Sequence, residues 1–203
     1  MPIDPAVHVI DDDKAVRRSI AFLLSANGLP VRIYESGRNF LDLLEPDVAG
    51  CALCDVRMPG MDGIELLREV RRRDIALPFV VMTGHADVAM AVQAMKAGAL
   101  DFIEKPFEDQ ALIALLREGM ERGQAEGQRT RRRAALEERL GRLTPRERQV
   151  LELVAAGKQN KIIAHELGIS PRTVEVHRAN LIEKVEAKST SDLIAIVLER
   201  SQT

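Results

Sequence analysis

Hydrophobic and polar residues follow two alternating periods in the first 122 positions of the chain. Short apolar runs, typical of buried parallel strands, alternate with segments in which apolar residues recur at helical spacing. The runs predict strands near 7–10, 31–34, 51–55, 79–82 and 100–104. The helical spacing predicts helices near 16–27, 37–44, 64–73 and 88–97, and a fifth that begins near Glu108. Five such units predict a doubly wound α/β domain with a five-stranded parallel sheet and helices on both faces.

Residues 143–203 show no strand pattern and predict four helices instead. Residues 144–147, Thr-Pro-Arg-Glu, form a capping box with proline at the first helical position, so a helix is expected to begin there. The other helices are predicted at about 161–167, ending at Gly168, at about 172–185 after Ser170, and from Ser191 onwards. A helix, a glycine-containing turn and a second helix form the helix-turn-helix signature, so a small all-α domain is expected.

Residues 123–142, between these two parts, are rich in charges and helix formers but contain few apolar side chains. This composition is typical of a solvated linker and equally of an extension of the fifth helix, and the sequence leaves both open. The run Arg131-Arg132-Arg133 favours a solvated face, with DNA contact as the alternative. We therefore predict a first domain over 1–122, a linker over 123–142 and a second domain over 143–203.

Charge is divided unevenly along the 203 residues. Residues 1–124 carry 14 Lys and Arg against 20 Asp and Glu, a net charge of −6, whereas residues 125–203 carry 15 against 11, a net charge of +4. This division suits an acidic part that gathers a cation and a basic part that meets a polyanion. No apolar run reaches membrane-spanning length, so we expect a cytoplasmic protein without a membrane partner.

Polar residues stand at the ends of four of the predicted strands. Asp11 and Asp12 follow the first strand, Asp55 the third, Thr83 the fourth and Lys105 the fifth. Because ligands of open parallel sheets bind outside the carboxyl ends of the strands, these side chains are expected to converge. Carboxylates suit Mg²⁺, and an aspartate can form an aspartyl phosphate. The set predicts a Mg²⁺ and phosphoryl site, with Asp55 as ligand and nucleophile and with Thr83 and Lys105 facing phosphoryl oxygens.

Four stretches around these positions resemble the receiver domain of two-component response regulators. They are 11–12 (Asp-Asp), 54–63 (Cys-Asp-Val-Arg-Met-Pro-Gly-Met-Asp-Gly), 81–84 (Val-Met-Thr-Gly) and 104–107 (Glu-Lys-Pro-Phe). The resemblance implies that Asp55 is the phosphoacceptor and that Asp11 and Asp12 are the metal pair. It also implies that Thr83 is the switch hydroxyl and that Lys105 senses the phosphoryl group.

The same resemblance assigns further roles. It implies that the backbone carbonyl of Arg57 is a metal ligand and that the Lys105–Pro106 bond is cis. It makes Phe102 the aromatic switch residue, with a plain core position as the alternative. Asp13 continues the acidic run, so spacing alone leaves open which two of residues 11–13 bind the metal, although the family alignment and the strand-end geometry favour the first two.

The second domain resembles the LuxR-type DNA-binding domain. Residues 160–177 carry the match, with 143–148 upstream and Lys184 downstream, so the resemblance covers nearly all of 143–200. With the receiver, the whole chain looks like the NarL/FixJ class of response regulators. Residues 103–109 and 170–180 look closest to the nitrogen-fixation members of that class.

The third helix of the second domain has two faces. Val174, Leu181 and Val185 share one face and predict core contacts, whereas the opposite face, which includes Glu183, is expected to enter the major groove of DNA. Glutamate can accept a hydrogen bond from cytosine, valine and alanine can touch a thymine methyl, and basic residues can contact phosphates. The predicted DNA-contacting residues are Lys161, Arg172, Thr173, Glu175, Val176, His177, Arg178, Ala179 and Lys184.

These features predict a cytoplasmic response regulator. The resemblance implies that a sensor histidine kinase donates the phosphoryl group and that the phosphorylated chain forms a homodimer. The dimer is expected to use the face made by the fourth helix, the last strand and the fifth helix. It would bind double-stranded promoter DNA and activate transcription with RNA polymerase. The receiver would gain and lose its phosphoryl group without the chain being a stand-alone enzyme.

Three other functions are disfavoured. A phosphohydrolase with an aspartyl-phosphate intermediate lacks a general acid two residues beyond Asp55, where Arg57 stands, and leaves the second domain unexplained. A DNA-binding protein with a vestigial receiver does not explain the intact polar set. Cys51 and Cys54 form a C-x-x-C string, but residues three apart in a strand point to opposite faces, so they predict core positions rather than a redox or metal pair.

Overall fold

The computed structural model describes residues 4–45, 48–84 and 88–201. Its internal contacts divide the chain into two compact units, residues 1–129 and residues 130–203. The first unit contains β1 (Ala6–Ile10), α1 (Lys14–Ala26), β2 (Val31–Tyr34), α2 (Gly37–Asp42), β3 (Gly50–Asp55), α3 (Gly63–Arg72), β4 (Phe79–Thr83), α4 (Val88–Lys96), β5 (Asp101–Glu104) and most of α5 (Asp109–Gly141). The second contains the end of α5, α6 (Pro145–Ala155), α7 (Asn160–Leu167), α8 (Pro171–Val185) and α9 (Thr190–Ser201).

The five strands form one parallel sheet in the order β2-β1-β3-β4-β5, which confirms the predicted fold class. Every residue of β1, β3 and β4 is buried, as expected for the central strands of a sheet covered by helices on both faces. The edge strands β2 and β5 are partly exposed. Each predicted strand lies within one residue of its observed bounds at either end.

Side chains of β3 alternate between two hydrophobic clusters. Cys51 and Leu53 pack with residues of α1 and α5, whereas Ala52 and Cys54 pack with residues of α2 and α3 on the other face. The two thiols therefore lie on opposite faces of the sheet, as predicted. Both are buried and free, and burial raises the pKa of the Cys51 thiol to about 12, so neither is poised for redox chemistry.

The helix boundaries follow local capping signals. Asp62 and Glu65 form a capping box at the start of α3, and Thr144 and Glu147 form the predicted one at the start of α6. Ser170 caps α8 by accepting from the Thr173 backbone N–H. Gly168 ends α7 with a φ of 64°, a left-handed conformation that glycine adopts without strain.

Residues 123–141, whose conformation the sequence left open, continue α5 without interruption. Within the first unit this helix passes very close to the start of β3. A Cβ atom on Gly123 would lie 1.9 Å from the backbone oxygen of Gly50, and one on Gly119 would lie 2.4 Å from the Cys51 Sγ atom. Only glycine allows this approach of helix to strand, so these two positions fix where α5 runs.

The second unit has its own core. Buried side chains from α5, α6, α7, α8 and α9 meet there: Leu140, Val150, Ile163, Val174, Leu181, Val185 and Leu193. The α8 face predicted to point inwards is thus confirmed. In the part of the chain that the structure describes, no helix combines the length and apolar character needed to cross a membrane.

The close approach at Gly123 gives a stability prediction. Gly123→Ala should destabilise the first unit by about 3 kcal/mol, because the new methyl group clashes with backbone that cannot move freely. Gly127→Ala is the matched control, since its Cβ would meet nothing within 4 Å and alanine favours a helix by about 0.5–1 kcal/mol. Urea unfolding followed by fluorescence of Tyr34, the chain's only tyrosine, measures both. Equal stability of the two variants would contradict the packing.

Candidate functional site

The carboxyl edge of the sheet brings together polar groups from four strands. Asp11 directly follows β1, Asp55 ends β3, Thr83 ends β4 and Lys105 directly follows β5. These strands are successive neighbours in the sheet, so their ends lie side by side. The Lys105 backbone N–H donates to the Thr83 carbonyl oxygen at 2.7 Å, which joins the last two of these ends.

The ammonium of Lys105 bridges two buried carboxylates. Its Nζ atom lies 2.6 Å from Asp55 Oδ1 and 2.9 Å from Asp11 Oδ2. Asp11 is 2% exposed and Asp55 is 7% exposed, so both ion pairs are well shielded from water. Residues separated by up to 94 positions thus meet as the sequence pattern predicted.

Backbone N–H groups hold the second oxygen of each carboxylate. The Asp13 N–H donates to Asp11 Oδ1 at 2.8 Å, and the Arg57 N–H donates to Asp55 Oδ2 at 2.7 Å. The Asp13 side chain itself caps α1 by accepting from the Ala15 N–H at 2.7 Å. Asp13 therefore already has a structural role, which favours Asp11 and Asp12 as the metal pair.

Burial and charge set the ionisation of this cluster. Burial raises the pKa of the Asp55 carboxyl, while Lys105 opposes the rise and the charge of Asp11 adds to it. Burial lowers the pKa of the Lys105 ammonium, but its hydrogen bonds to Asp55 and Asp11 outweigh burial and leave that pKa raised. Lys105 is therefore held in its charged form, and the more basic Asp55 carboxylate is a better nucleophile.

The carboxylates of this cluster are of the type that binds a hard divalent cation, but their present positions do not form a metal site. Among the described residues, no three His, Cys, Asp or Glu side chains stand close enough to hold a metal ion. Lys105 lies between two of the predicted ligands, and the Asp12 side chain is exposed. Yet two buried carboxylates share one ammonium, and oxygen ligands of this kind are those that Mg²⁺ prefers.

The predicted switch residues lie against α4. The buried Thr83 hydroxyl donates to the Met90 Sδ atom at 3.9 Å, a contact that the sequence pattern gave no reason to expect. Met90 and Phe102 are both partly buried and pack against the same core cluster. The Lys105–Pro106 bond is cis, as the family resemblance implied.

The arrangement as a whole can accept a phosphoryl group. Asp55 offers a carboxylate at the open edge of the sheet, and Lys105 already lies within hydrogen-bonding distance of it. A phosphoryl group on Asp55 would bring oxygens that Lys105 and Thr83 can neutralise or hydrogen-bond. Phosphoryl transfer to Asp55 is thus the chemistry that this geometry supports.

The outward face of α8 in the second unit carries the predicted base-reading residues. Arg172, Glu175, Val176 and Ala179 are exposed, and so is Lys161 on α7. Val176 is 49% exposed, which is unusual for valine and suits apolar contact with a base. Arg172 lies 3.3 Å from Glu175, so each of the two charges has a partner on the helix surface.

Lys184 has a partner that the sequence did not reveal. Its Nζ atom donates to both carboxylate oxygens of Glu147, at 2.9 and 2.8 Å. Glu147 is 3% exposed and also closes the capping box of α6. Burial raises the pKa of Glu147, but hydrogen bonds from Lys184 and Thr144 outweigh it and leave the pKa below its usual value. Lys184 thus joins α8 to α6, a role distinct from the predicted phosphate contact.

Three more of the predicted DNA-contacting residues are engaged or enclosed within the domain. Arg178 donates to Asn160 Oδ1 at 2.7 Å and to Thr190 Oγ1 at 3.1 Å, so it joins α7, α8 and α9. The Thr173 hydroxyl lies 2.8 Å from that of Ser170. The Nδ1 atom of His177 is buried and has no hydrogen-bond partner among the described residues. Their DNA contacts stay predictions.

Two known protein families match the chain, and each match lies within one of the two compact units. Residues 7–117 match the response regulator receiver domain, and residues 141–197 match the bacterial regulatory proteins of the luxR family. The first match contains the whole acidic cluster, and the second contains α6, α7 and α8.

Known proteins resemble the chain over nearly its full length. The transcriptional regulatory protein FixJ of Azorhizobium caulinodans is 50% identical over 98% of this chain and 94% of its own. FixJ of Rhizobium meliloti is 48% identical over 96% of each. The solved structure of the response regulator StyR matches with a TM-score of 0.87 at 40% identity, over 97% of this chain and 100% of its own. Full-length FixJ from B. japonicum matches with a TM-score of 0.57 at 42% identity, over 98% of each.

The ion pair of Lys184 predicts a loss of stability in the second unit. Lys184→Ala should lower the local free energy of unfolding by about 3 kcal/mol, because Glu147 would stay buried without its partner. Hydrogen exchange of the α6 and α8 amides in the full chain measures this change. Folding lowers the pKa of the Glu147 carboxyl below its ordinary value of 4.5. The stability that this ion pair contributes is therefore fully present above pH 4.5 and is lost at lower pH, as the carboxyl takes up a proton.

Lys161→Ala is the control for this experiment. Lys161 is exposed, so its replacement should change local stability by less than about 0.5 kcal/mol. If Lys184→Ala leaves exchange unchanged but weakens DNA binding, Lys184 serves DNA rather than the core, and the structural role is wrong.

Proposed function

Because the chain belongs to the response regulators that join a receiver domain to a LuxR-type DNA-binding domain, we propose that Asp55 is its phosphoacceptor. The chain is a phosphorylation-activated, DNA-binding transcriptional regulator similar to FixJ, and its partners are a histidine kinase and DNA. The observation that carries the assignment of Asp55 is the Lys105 ammonium, which lies 2.6 Å from Asp55 at the carboxyl edge of the sheet.

The transfer step follows from this placement. An oxygen of the Asp55 carboxylate forms a bond to phosphorus while the bond from phosphorus to the kinase histidine nitrogen breaks. The leaving nitrogen keeps the electron pair. Lys105 then pairs with an oxygen of the transferred phosphoryl group. The ends of β3 and β5 hold Asp55 and Lys105 in place for this contact.

Magnesium is the ion that we propose for this site. Asp11, Asp12, Asp55 and the backbone carbonyl of Arg57 would hold it, as in the acidic site of receiver domains generally. When bound, the ion neutralises charge on the phosphoryl oxygens. Among the residues that the structure describes, Lys105 is the one cation that pairs with the buried Asp11 and Asp55, which supports a second cation.

Phosphorylation is proposed to act through Thr83 and Phe102. A phosphoryl group on Asp55 offers the Thr83 hydroxyl a stronger acceptor than the Met90 sulfur it now contacts. Thr83 would then leave α4, and Phe102 would turn inwards beside it. The charge added at one strand end thereby changes the packing of α4.

The α4 surface supports dimerisation of the phosphorylated chain. Val88, Val92 and Met95 share one face of this helix and are 80%, 45% and 50% exposed. Exposed apolar stripes of this kind mark protein contacts. We propose that this face, with β5 and α5, joins two copies of the chain.

The dimer is proposed to bind promoter DNA at two half-sites about one helical turn apart. Residues of α8 would read bases, and Lys161, Arg178 and His177 would contact phosphates. We further propose that the bound dimer activates transcription with RNA polymerase. Because its partners are DNA and a kinase phosphodonor, we place the protein in the cytoplasm. The chain has no separate enzymatic role in this proposal.

The assignment of Asp55 is tested by Asp55→Asn, which keeps the side-chain shape but removes the nucleophilic charge. The full chain treated with a small phosphodonor and Mg²⁺ should gain one phosphoryl group in its intact mass, and the variant should gain none. Asp42→Asn, at an exposed carboxyl group on α2, should behave like the unaltered chain.

Chelation of divalent cations should abolish the adduct on the unaltered chain. Phosphorylation that persists under chelation would contradict the magnesium proposal alone. A full adduct on Asp55→Asn would contradict the assignment of the acceptor.

A further inference from the structure

A run of arginines lies on the part of α5 that enters the second unit. Residues 129–133 hold four arginines and no acid. Arg131, Arg132 and Arg133 are exposed, and none of them forms an ion pair with any residue in the described ranges. Arg129 lies three positions before Arg132 and four before Arg133. Like charges at this spacing weaken a helix, so helix stability does not explain the run.

The rotation of α5 separates these arginines into two groups. With about 100° per residue, Arg132 and Arg133 lie on the same face as Leu136 and Leu140, and Arg131 lies on the opposite face. Leu140 is buried in the core of the second unit and Leu136 packs against it. Arg132 and Arg133 therefore continue the face by which α5 packs against the DNA-binding domain.

An ion pair places this face near the recognition helix. Arg139 lies 2.7 Å from Glu186, the residue that caps the end of α8. Arg132 lies seven residues before Arg139, about 10 Å along the helix axis and about 20° around it, and Arg133 is its neighbour. If α8 lies in the major groove, which is about 12 Å wide, its end and this part of α5 face the phosphates that border the groove.

We propose that Arg132 and Arg133 bind the DNA phosphate backbone beside each half-site. The guanidinium group matches phosphate oxygens with two parallel hydrogen bonds, which lysine cannot offer. The end of α5 is then part of the DNA-binding surface, which extends beyond the helix-turn-helix. This inference rests on the DNA-binding function of the second unit.

The test measures how DNA affinity depends on salt in the full chain, treated with a small phosphodonor and Mg²⁺. The probe is a random-sequence duplex about four helical turns long, because phosphate contacts do not require the operator. Each lost contact lowers the slope of log K against log salt by about 0.9. Because the bound dimer carries two copies of each residue, Arg133→Gln should lower the slope by about 1.8, and Arg132→Gln with Arg133→Gln by about 3.6.

Arg131→Gln is the matched control, since it removes the same charge from the same helix but from the opposite face. Its slope should stay unchanged. Glutamine and arginine have similar helix propensities, so circular dichroism should show equal helix content in all variants. If the double variant leaves the salt slope of DNA binding unchanged, the proposal is wrong. A change in association between protein chains would not rescue it. Equal effects of Arg131→Gln and Arg133→Gln would also overturn it, because charge alone would then be acting.

Lys161→Gln separates this proposal from the docking of the domain. In the bound dimer it should lower the slope by about 1.8 if α7 and α8 meet DNA as proposed. If Lys161→Gln lowers the slope but the double arginine variant does not, the proposed role of α5 is wrong and the rest stands. If neither variant lowers the slope, the proposed placement of α7 and α8 on DNA is wrong as well.

Discussion

The Lys105 ammonium lies between the carboxylates of Asp11 and Asp55, and the proposed phosphoryl site is built around this contact. Two buried carboxylates so close together would repel each other without a shared cation. The cation comes from beyond β5, whereas the carboxylates belong to the ends of β1 and β3. The sheet must therefore hold its strands in parallel order and register for the charges to meet.

Much of this could be predicted from the sequence because period and position carry the information. Fully buried parallel strands need continuous apolar runs, which gave the three central strands, and all five predicted strands lie within one residue of the observed bounds. Once the strands are parallel, residues that follow them converge at one edge, so Asp11, Asp55, Thr83 and Lys105 could be grouped before any contact was known. Capping boxes gave the start of α6 for a similar, local reason.

Contacts between distant residues had no such signal. Glu147 and Lys184 are 37 positions apart, and both belong to patterns with another plausible role, a helix cap and a DNA contact. The sulfur of Met90 fits a core position as well as it fits the Thr83 hydroxyl. The continuity of α5 was undecided because a solvated linker and an exposed helix share the same composition. In each case the sequence shows which residue is present, but its contacts depend on how elements that are distant in the chain pack together.

Phosphorylation at the strand ends is central to this account, and its coupling to DNA binding can be measured directly. The full chain is compared with and without a small phosphodonor in the presence of Mg²⁺, by sedimentation for mass and by titration with promoter DNA for affinity. The account predicts that phosphorylation doubles the mass and raises DNA affinity by about 5- to 150-fold, the usual range for coupled sites. A fully phosphorylated chain with unchanged mass and unchanged DNA affinity would contradict it.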